Sequence, residues 1–165
     1  MKVLAPQTYI MEDPREAARL ERKVDPNAWV EKYLKQYLFP GAEVLSVGCG
    51  PGIILRSICE SHLDINATGL DLSPLRVRQA AERNRQNPRA HFFCGDAREM
   101  RFASDSFDIV FTRMMLQYIA EKEKAVAEMV RVCKPGGIVQ MQDLDGQLIW
   151  HYPEDRVMQN SIERV

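Results

Sequence analysis

Residues 44–52 read VLSVGCGPG, an apolar run that leads directly into three glycines at alternate positions. The run contains β-branched valines and ends at a glycine, which is typical of a short buried strand. Glycine costs conformational entropy, so Gly48, Gly50 and Gly52 are favoured where the backbone turns sharply or approaches another group closely. The stretch therefore predicts a strand, a ligand-binding loop and a helix, with a tight turn that binds no ligand as the alternative.

Strand and helix patterns alternate from this stretch onward. Further strands are predicted at residues 67–70, 90–94, 107–112 and 138–142, and helices at residues 52–62, 73–85 and 121–133. This order indicates right-handed βαβ units, which gives an α/β fold with a Rossmann-like, doubly wound and mostly parallel sheet. Such sheets bind ligands at the carboxyl ends of their strands, near the point where the strand order reverses. The glycine loop is expected at that point.

The chain is predicted to form a single domain with two parts, since 165 residues are enough for one domain but few for two. Residues 1–40 form a helical segment that packs over the ligand site. Residues 41–165 form the ligand-binding core.

The composition narrows the classes of partner. The formal net charge is -1, so no overall positive field attracts nucleic acid or an anionic membrane, and we expect neither partner. No apolar run approaches the roughly 18 residues that a membrane helix needs. The amino terminus lacks the apolar core of a signal peptide, so a cytoplasmic location is expected.

Basic, histidine and cysteine residues have simple structural interpretations. The histidines are isolated from other ligand types, so no metal site is predicted. A basic run is interpreted as a solvated helix face rather than an RNA site, because Glu82 interrupts it and no aromatic residues alternate with it. The run is Arg76, Arg78, Arg83, Arg85 and Arg89. The cysteines form no C-x-x-C pair and are expected to be free thiols: Cys49, Cys59, Cys94 and Cys133.

The glycine spacing argues against two common nucleotide loops. A dinucleotide fingerprint has its third glycine where this chain has Ile53, and a P-loop needs a Gly-Lys-Ser/Thr sequence that is missing here. Asp71 ends the second strand, where a carboxylate can accept hydrogen bonds from both ribose hydroxyls. Asp96 ends the third strand, on the other side of such a nucleoside, and could bind an adenine amino group. Asp71 alone fits NAD and S-adenosylmethionine equally.

Four stretches in register resemble the class I S-adenosylmethionine-dependent methyltransferases, and most of all the small-molecule branch that includes the quinone-biosynthesis enzymes. The stretches are VLSVGCGPG (44–52), GLDLSP (69–74), FFCGDAREMRFASDSFDIVFTRMMLQYI (92–119) and RVCKPGGIVQMQD (131–143). The resemblance implies S-adenosylmethionine as the cofactor and in-line methyl transfer to a small-molecule acceptor. No residue stands out as a general base, so no catalytic residue is assigned.

The resemblance also implies which residues contact the cofactor. The glycine loop, with Ser46 and Cys49, lies under the methionine and ribose. Asp71 binds the ribose hydroxyls, and Leu72 lies against the adenine. At the other end of the nucleoside, Asp96 binds the adenine amino group and Ala97 offers its backbone N–H.

Other residues are expected around the methyl group. Thr112 and Arg113 lie near the methionine end of the cofactor. The acceptor side is lined by Met114, Gln117 and Tyr118, although methionines are also common core residues. Tyr9 folds back over the site.

The sequence departs from the family pattern at two points. Family members usually carry Asp or Glu where this chain has Ser46, so weaker cofactor binding or a compensating acid is expected. The family fold has an antiparallel hairpin after strand five, whereas residues 147–165 leave room for a loop and one helix. The fold is therefore expected to lack the hairpin, and the exposed strand 138–142 is expected to cause either a homodimer or poor solubility.

Two other functions stay open on these residues. One is a non-catalytic S-adenosylmethionine-binding module or a truncated methyltransferase. The other is a nicotinamide-dependent oxidoreductase, to which Ile53 is the main objection.

Overall fold

The computed structural model describes residues 22, 24–61 and 64–143. Five parallel strands form one sheet in the order β3-β2-β1-β4-β5. β1 pairs with β2 on one side and with β4 on the other, so the strand order reverses at β1. This topology confirms the doubly wound parallel fold and puts the loop after β1 at the reversal. The strands are β1 (Glu43–Val47), β2 (Asn66–Asp71), β3 (Ala90–Cys94), β4 (Phe107–Arg113) and β5 (Cys133–Gln142).

Two helices begin at caps that the sequence encodes. The Asp25 carboxylate accepts hydrogen bonds from the N–H groups of Asn27 at 3.0 Å and Ala28 at 3.1 Å, and the Ser73 hydroxyl accepts one from Arg76 at 3.3 Å. Each cap is followed by a proline in the first turn, where a missing N–H costs nothing. The helices are α1 (Pro26–Tyr33), α2 (Ile53–Glu60), α3 (Pro74–Arg83) and α4 (Lys122–Val132), with short 3-10 turns at Lys35–Tyr37 and Leu116–Tyr118.

The sheet separates two apolar cores. On one face, Trp29 of α1 and Leu55 and Ile58 of α2 pack against Val44 and Phe111. On the other face, Leu45, Val47 and Val110 pack against α4 through Ala125 and Met129. The alternation of side chains along each strand therefore serves both cores.

The last described strand begins earlier than its sequence pattern indicates. β5 starts at Cys133, directly after α4, and its register with β4 is interrupted between Phe107 and Ile109. The extra residues lie at 134–137 of β5, and Gly137 among them packs so closely that a side chain there would meet the backbone oxygen of Asp108 at 2.7 Å. The predictions for residues 1–21, which include Tyr9, and for the absent hairpin at residues 147–165 lie outside the described residues.

The interpretation of the basic run as a solvated face is wrong for one of its members. Arg76 is only 1% exposed, and its guanidinium donates a hydrogen bond to Gln79 at 2.8 Å. Arg76 also lies close enough to lower the pKa of Asp71. In the described part of the chain, no helix is both long enough and apolar enough to cross a membrane.

Candidate functional site

The glycine loop is hydrogen-bonded to the end of β2. The N–H groups of Gly48 and Cys49 both donate to the carbonyl of Leu70, at 2.8 and 2.9 Å. Gly48, Gly50 and Gly52 all have positive φ, at 69°, 54° and 74°, a region that other residues seldom adopt. The loop therefore turns sharply while it stays attached to the neighbouring strand.

The three glycines face different surroundings. A side chain at Gly48 would collide with Met115. A side chain at Gly52 would meet Ala80 Cβ at 3.0 Å and Phe92 Cε1 at 3.1 Å. At Gly50 it would meet nothing within 4 Å. Protein packing thus accounts for two of the glycines, and only Gly50 borders open space.

The Asp71 carboxylate joins the loop to the start of α3. Its Oδ2 accepts a hydrogen bond from Gly50 N–H at 2.8 Å, and its Oδ1 accepts one from Ser73 N–H at 3.0 Å. The residue is 5% exposed. Burial raises the pKa of Asp71, although the hydrogen bonds from Ser73 and Gly50 oppose that shift. Burial and the nearby Asp71 charge also raise the pKa of the Cys49 thiol well above its ordinary range, so Cys49 is a neutral thiol.

Asp96 has a cationic partner that the sequence analysis did not identify. Arg98 binds both carboxylate oxygens, with Nη2 at 2.6 Å from Oδ2 and Nε at 3.0 Å from Oδ1, and it also binds Glu121 at 2.9 Å. Hydrogen bonding from Arg98 lowers the pKa of Asp96, which is therefore ionised at neutral pH. The spacing of Asp96 and Arg98, two residues apart in a turn, was the available signal.

Leu72 and Ala97, the other residues expected at the adenine, differ in exposure: Ala97 is 9% exposed and belongs to an apolar core. Leu72 is 55% exposed, directly after the buried carboxylate of Asp71. Among the described residues, the backbone N–H of Ala97 meets no hydrogen-bond acceptor. An apolar surface and a donor thus lie near Asp96.

Ser46 and Thr112 are buried inside the sheet. Ser46 is 5% exposed and lies between Gly69 of β2 and Phe111 of β4. Thr112 has no exposed surface, and its hydroxyl lacks a hydrogen-bond partner in the described structure. Neither side chain presents a surface that a ligand could touch without movement.

The end of β4 carries a second polar group of residues. Arg113 is half-buried and pairs in register with Gln142 of β5, whose side-chain oxygen accepts a hydrogen bond from Trp29 Nε1 at 2.5 Å. Sequence reasoning missed Gln140, Gln142 and Trp29 as site residues. The signal was the alternation in β5, where two glutamines follow each other on one face near the strand end.

The predicted acceptor residues lie just beyond β4. Met114 has a positive φ of 55° and its N–H donates to the carbonyl of Gln142 at 2.7 Å, so it continues the β5 contact. Gln117 is exposed, and its N–H donates to the Asp143 carboxylate at 3.1 Å. Tyr118 is 54% exposed. These three residues share one segment, which begins where Arg113 ends β4.

A cleft of about 440 Å³ lies elsewhere, at the amino ends of β4 and β5, and its lining includes Phe39, Asp108 and Lys134. Parallel sheets bind ligands at the opposite ends of their strands, so this cleft is not the candidate site. Within residues 24–61 and 64–143, no three histidine, cysteine or acidic side chains are grouped as metal ligands would be.

A glycine loop at the reversal of a doubly wound parallel sheet, with carboxylates after the next two strands, defines a nucleoside-binding α/β protein. Residues 44–137 match a family described as a methyltransferase domain. The match covers more than half of the sequence, so the chain belongs to the methyltransferase domain family.

Individual relatives agree with this membership. The chain is similar to a 2-methyl-6-phytyl-1,4-hydroquinone methyltransferase of Synechocystis, at 34% identity over 71% of the chain and 35% of that protein. It spans half or less of the length of such curated relatives. Among solved structures, it is similar to phosphoethanolamine N-methyltransferase 2 of Haemonchus contortus in complex with phosphomonomethylethanolamine and S-adenosylhomocysteine, at 27% identity and a TM-score of 0.67 over 84% of the chain and 32% of that protein. It is also similar to the [4+2]-cyclase SpnF, at 30% identity and a TM-score of 0.63 over 69% of the chain and 42% of that protein.

Proposed function

We propose that this chain binds S-adenosylmethionine at the glycine loop and transfers its methyl group to a small-molecule acceptor. When bound, S-adenosylmethionine supplies a methyl group that its positively charged sulfur activates. The task of the chain is to hold donor and acceptor in line and to exclude water. A general base is required only where the acceptor must lose a proton, and no residue is assigned that role.

The observation that carries this proposal is the Asp71 carboxylate beside an open glycine. Each oxygen of Asp71 already accepts one backbone hydrogen bond and has further lone pairs for the two adjacent hydroxyls of a ribose. The open space at Gly50 leaves room for the sugar next to this carboxylate. The donor and acceptor set therefore fits a nucleoside.

The adenine end of the site fits in the same way. Leu72 offers an exposed apolar surface for the ring, and the Ala97 N–H can donate to a ring nitrogen. Asp96 Oδ1 already accepts hydrogen bonds from the backbone N–H and Nε of Arg98, so Oδ2, which accepts Nη2 and shares Nε, is the oxygen assigned to the adenine amino group. We assign these three residues to the adenine.

The remaining site residues are assigned by their position around the loop. Ser46, Gly48, Cys49 and Gly52 shape the loop under the cofactor, and Thr112 acts through packing because it is fully buried. Arg113 lies toward the methionine end. The acceptor side comprises Met114, Gln117 and Tyr118, and residues 1–40, which include Tyr9, close over the site. The Trp29 hydrogen bond to Gln142 supports that closure, since it fastens α1 to the ligand end of β5.

Hydroquinones are the acceptor class that the Synechocystis relative suggests. A hydroquinone is a flat ring with polar oxygens, and aromatic side chains already lie beside the carboxyl end of β4. The Trp29 ring is tilted against those of Phe111 and Tyr33, with centroids 5.6 Å and 5.4 Å apart, and Trp29 and Phe111 are buried. The relative therefore carries the proposal of a ring-bearing acceptor.

The test is a ligand-binding measurement followed by an activity assay. S-adenosylhomocysteine should raise the melting temperature of the chain, because a ligand that binds only the folded state stabilises it, whereas NAD should not. The reverse result would identify a nicotinamide enzyme and overturn the proposal. Transfer of a labelled methyl group to a panel of hydroquinones then tests the acceptor class.

A second candidate function is cofactor binding without methyl transfer. The similarity to a [4+2]-cyclase supports this second function, since one fold carries different chemistries. Stabilisation by S-adenosylhomocysteine without any methylated product would support this function over the first.

We also propose a cytoplasmic location and a homodimer. All four cysteines are free thiols, which suits a reducing compartment. β5 has one neighbour, β4, among the described strands, so its outer edge is available for pairing. Sedimentation as a monomer at high concentration would contradict the dimer, and cell fractionation tests the location.

A further inference from the structure

Two buried polar atoms near the carboxyl ends of β4 and β5 have no hydrogen-bond partner among the described residues. They are Nε of Arg113, which is a donor, and Oε1 of Gln140, which is an acceptor. Buried polar groups in folded proteins are nearly always paired, and unpaired ones cost folding free energy. An unpaired donor and an unpaired acceptor of this kind are expected where a bound ligand supplies the missing hydrogen-bond partners.

Both atoms belong to the face of the sheet that α1 covers. Side chains alternate along β4, which puts Arg113 on the same face as Phe111. The register pairs Phe111 with Gln140 and Arg113 with Gln142. Trp29 of α1 packs against Phe111 with the two rings tilted, and it donates its indole N–H to Gln142. The two unpaired atoms therefore lie on the same face as these two buried rings.

Arg113 differs in its charge environment from half-buried Arg131 and from exposed Arg98. Arg131 forms an ion pair with Glu128 at 2.6 Å, and Arg98 forms one with Asp96 at 2.6 Å. No carboxylate of the described residues forms an ion pair with Arg113, and burial lowers the pKa of its guanidinium. A guanidinium that burial has partly removed from water, and that has no carboxylate partner, is a favourable binding site for an anion.

The position of Arg113 connects it to the glycine loop. Thr112 is the register partner of Val47, so Arg113 lies level with Gly48. We infer that Arg113 binds an oxyanion of the ligand held at this loop, and that Gln140 accepts a hydrogen bond from a donor group nearby. This inference rests on the proposed function. The oxyanion belongs either to the α-amino carboxylate of the cofactor or to a carboxylate, phenolate or phosphate of the acceptor.

Calorimetric titration of the full chain and of Arg113→Met distinguishes these sources. S-adenosylhomocysteine carries the carboxylate, whereas 5′-methylthioadenosine lacks it. If the cofactor supplies the anion, the variant should bind S-adenosylhomocysteine roughly tenfold or more weakly and 5′-methylthioadenosine unchanged. If the acceptor supplies it, both nucleosides should bind unchanged, while benzoate, added with S-adenosylhomocysteine present, should bind the wild type but not the variant. Benzamide is the uncharged control.

The melting temperature provides a second measurement, and Arg113→Met should raise it while the same variant lowers the anion affinity. Removing a buried cation that has no counter-ion should raise the melting temperature of the ligand-free chain, and Arg113→Lys should retain part of the anion affinity. The matched control is Arg131→Met, which should lower the melting temperature without changing any affinity, because Arg131 also binds the carbonyls of Met100 and Phe102.

The outcomes separate this inference from the proposed function. If Arg113→Met changes neither nucleoside nor benzoate affinity, the oxyanion subsite is wrong while nucleoside binding stands. If the wild type binds neither nucleoside, the proposed function fails and the subsite fails with it.

Discussion

The carboxylate of Asp71 accepts a hydrogen bond from the backbone N–H of Gly50 at 2.8 Å, which ties the tip of β2 to the glycine loop after β1. One buried side chain thus fixes the loop, and its remaining lone pairs are the acceptors proposed for the ribose. The structural and ligand-binding roles of Asp71 can be measured separately.

Asp71→Asn should weaken both the fold and the nucleoside site. Each carboxylate oxygen accepts a backbone N–H, so the amide of asparagine must point a donor at Gly50 or at Ser73. We expect a loss of about 1–3 kcal/mol in the free energy of unfolding and at least roughly tenfold weaker S-adenosylhomocysteine binding. Denaturant unfolding and calorimetry measure the two effects. Asp64→Asn, at an exposed ion pair with Arg89, is the control and should change neither.

The affinity for the nucleoside should depend on pH through Asp71. Because its pKa is raised in the folded chain, this carboxyl favours folding below its ordinary pKa, and that contribution is lost as pH rises through the raised pKa. Ribose hydroxyls donate to the ionised form, so affinity should rise over the same interval. Titrations from neutral pH downward should show the decrease for the wild type. A wild-type affinity independent of pH would show that Asp71 does not bind the sugar.

Alanine substitutions should separate the packing role of the glycine loop from its ligand role. Gly52→Ala adds the left-handed strain of about 1–2 kcal/mol to tight contacts with Ala80 and Phe92, so it should destabilise the fold more than Gly50→Ala does. Gly50→Ala introduces the left-handed strain without any close contact, so its main effect should be a lower nucleoside affinity. Gly41→Ala has the same strain and open space at the other end of β1, so it is the matched control for affinity. Equal affinity of the Gly50 and Gly41 variants would contradict a ligand at Gly50.

Asp96→Asn should reduce the preference for adenine. Asp96 is held in place by Arg98 and can accept a hydrogen bond from the adenine amino group, which a hypoxanthine ring lacks. We expect the wild type to prefer S-adenosylhomocysteine over S-inosylhomocysteine by roughly tenfold, and the variant to lose most of that preference. If the ratio of the two affinities is the same in both proteins, Asp96 does not contact the amino group.

Ser46→Asp should strengthen cofactor binding at the expense of stability. The resemblance to the S-adenosylmethionine-dependent methyltransferases implies an acid at the position of Ser46, and the 5% exposure of this residue means that a carboxylate there loses water. Calorimetry should show higher S-adenosylmethionine affinity, and unfolding should show a lower midpoint. An unchanged affinity would mean that the serine does not limit binding.

The order of strands and helices was predictable because apolar periodicity, Ser73 and the prolines are local signals. Contacts between distant residues were not. Arg76 lies in a basic run that resembles a solvated face, yet the fold buries it. The spacing of Asp96 and Arg98 allows a contact between them but does not show that Arg98 binds both carboxylate oxygens. The early start of β5 at Cys133 was missed because its pairing with Phe107 is tertiary. The sequence thus predicted the position of the site well. It did not predict which charged side chains pair with each other there.

The contact between Gly48 and Met115 bears on how this loop changes during evolution. A chain of this fold that no longer binds a nucleoside still needs glycine at 48 and 52, because Met115, Ala80 and Phe92 occupy the space beside them. At Gly50 selection would relax to the backbone strain alone, because its φ of 54° still favours glycine while no neighbour fills the space. Divergent members that have lost the ligand should therefore keep the outer two glycines and vary at the middle one.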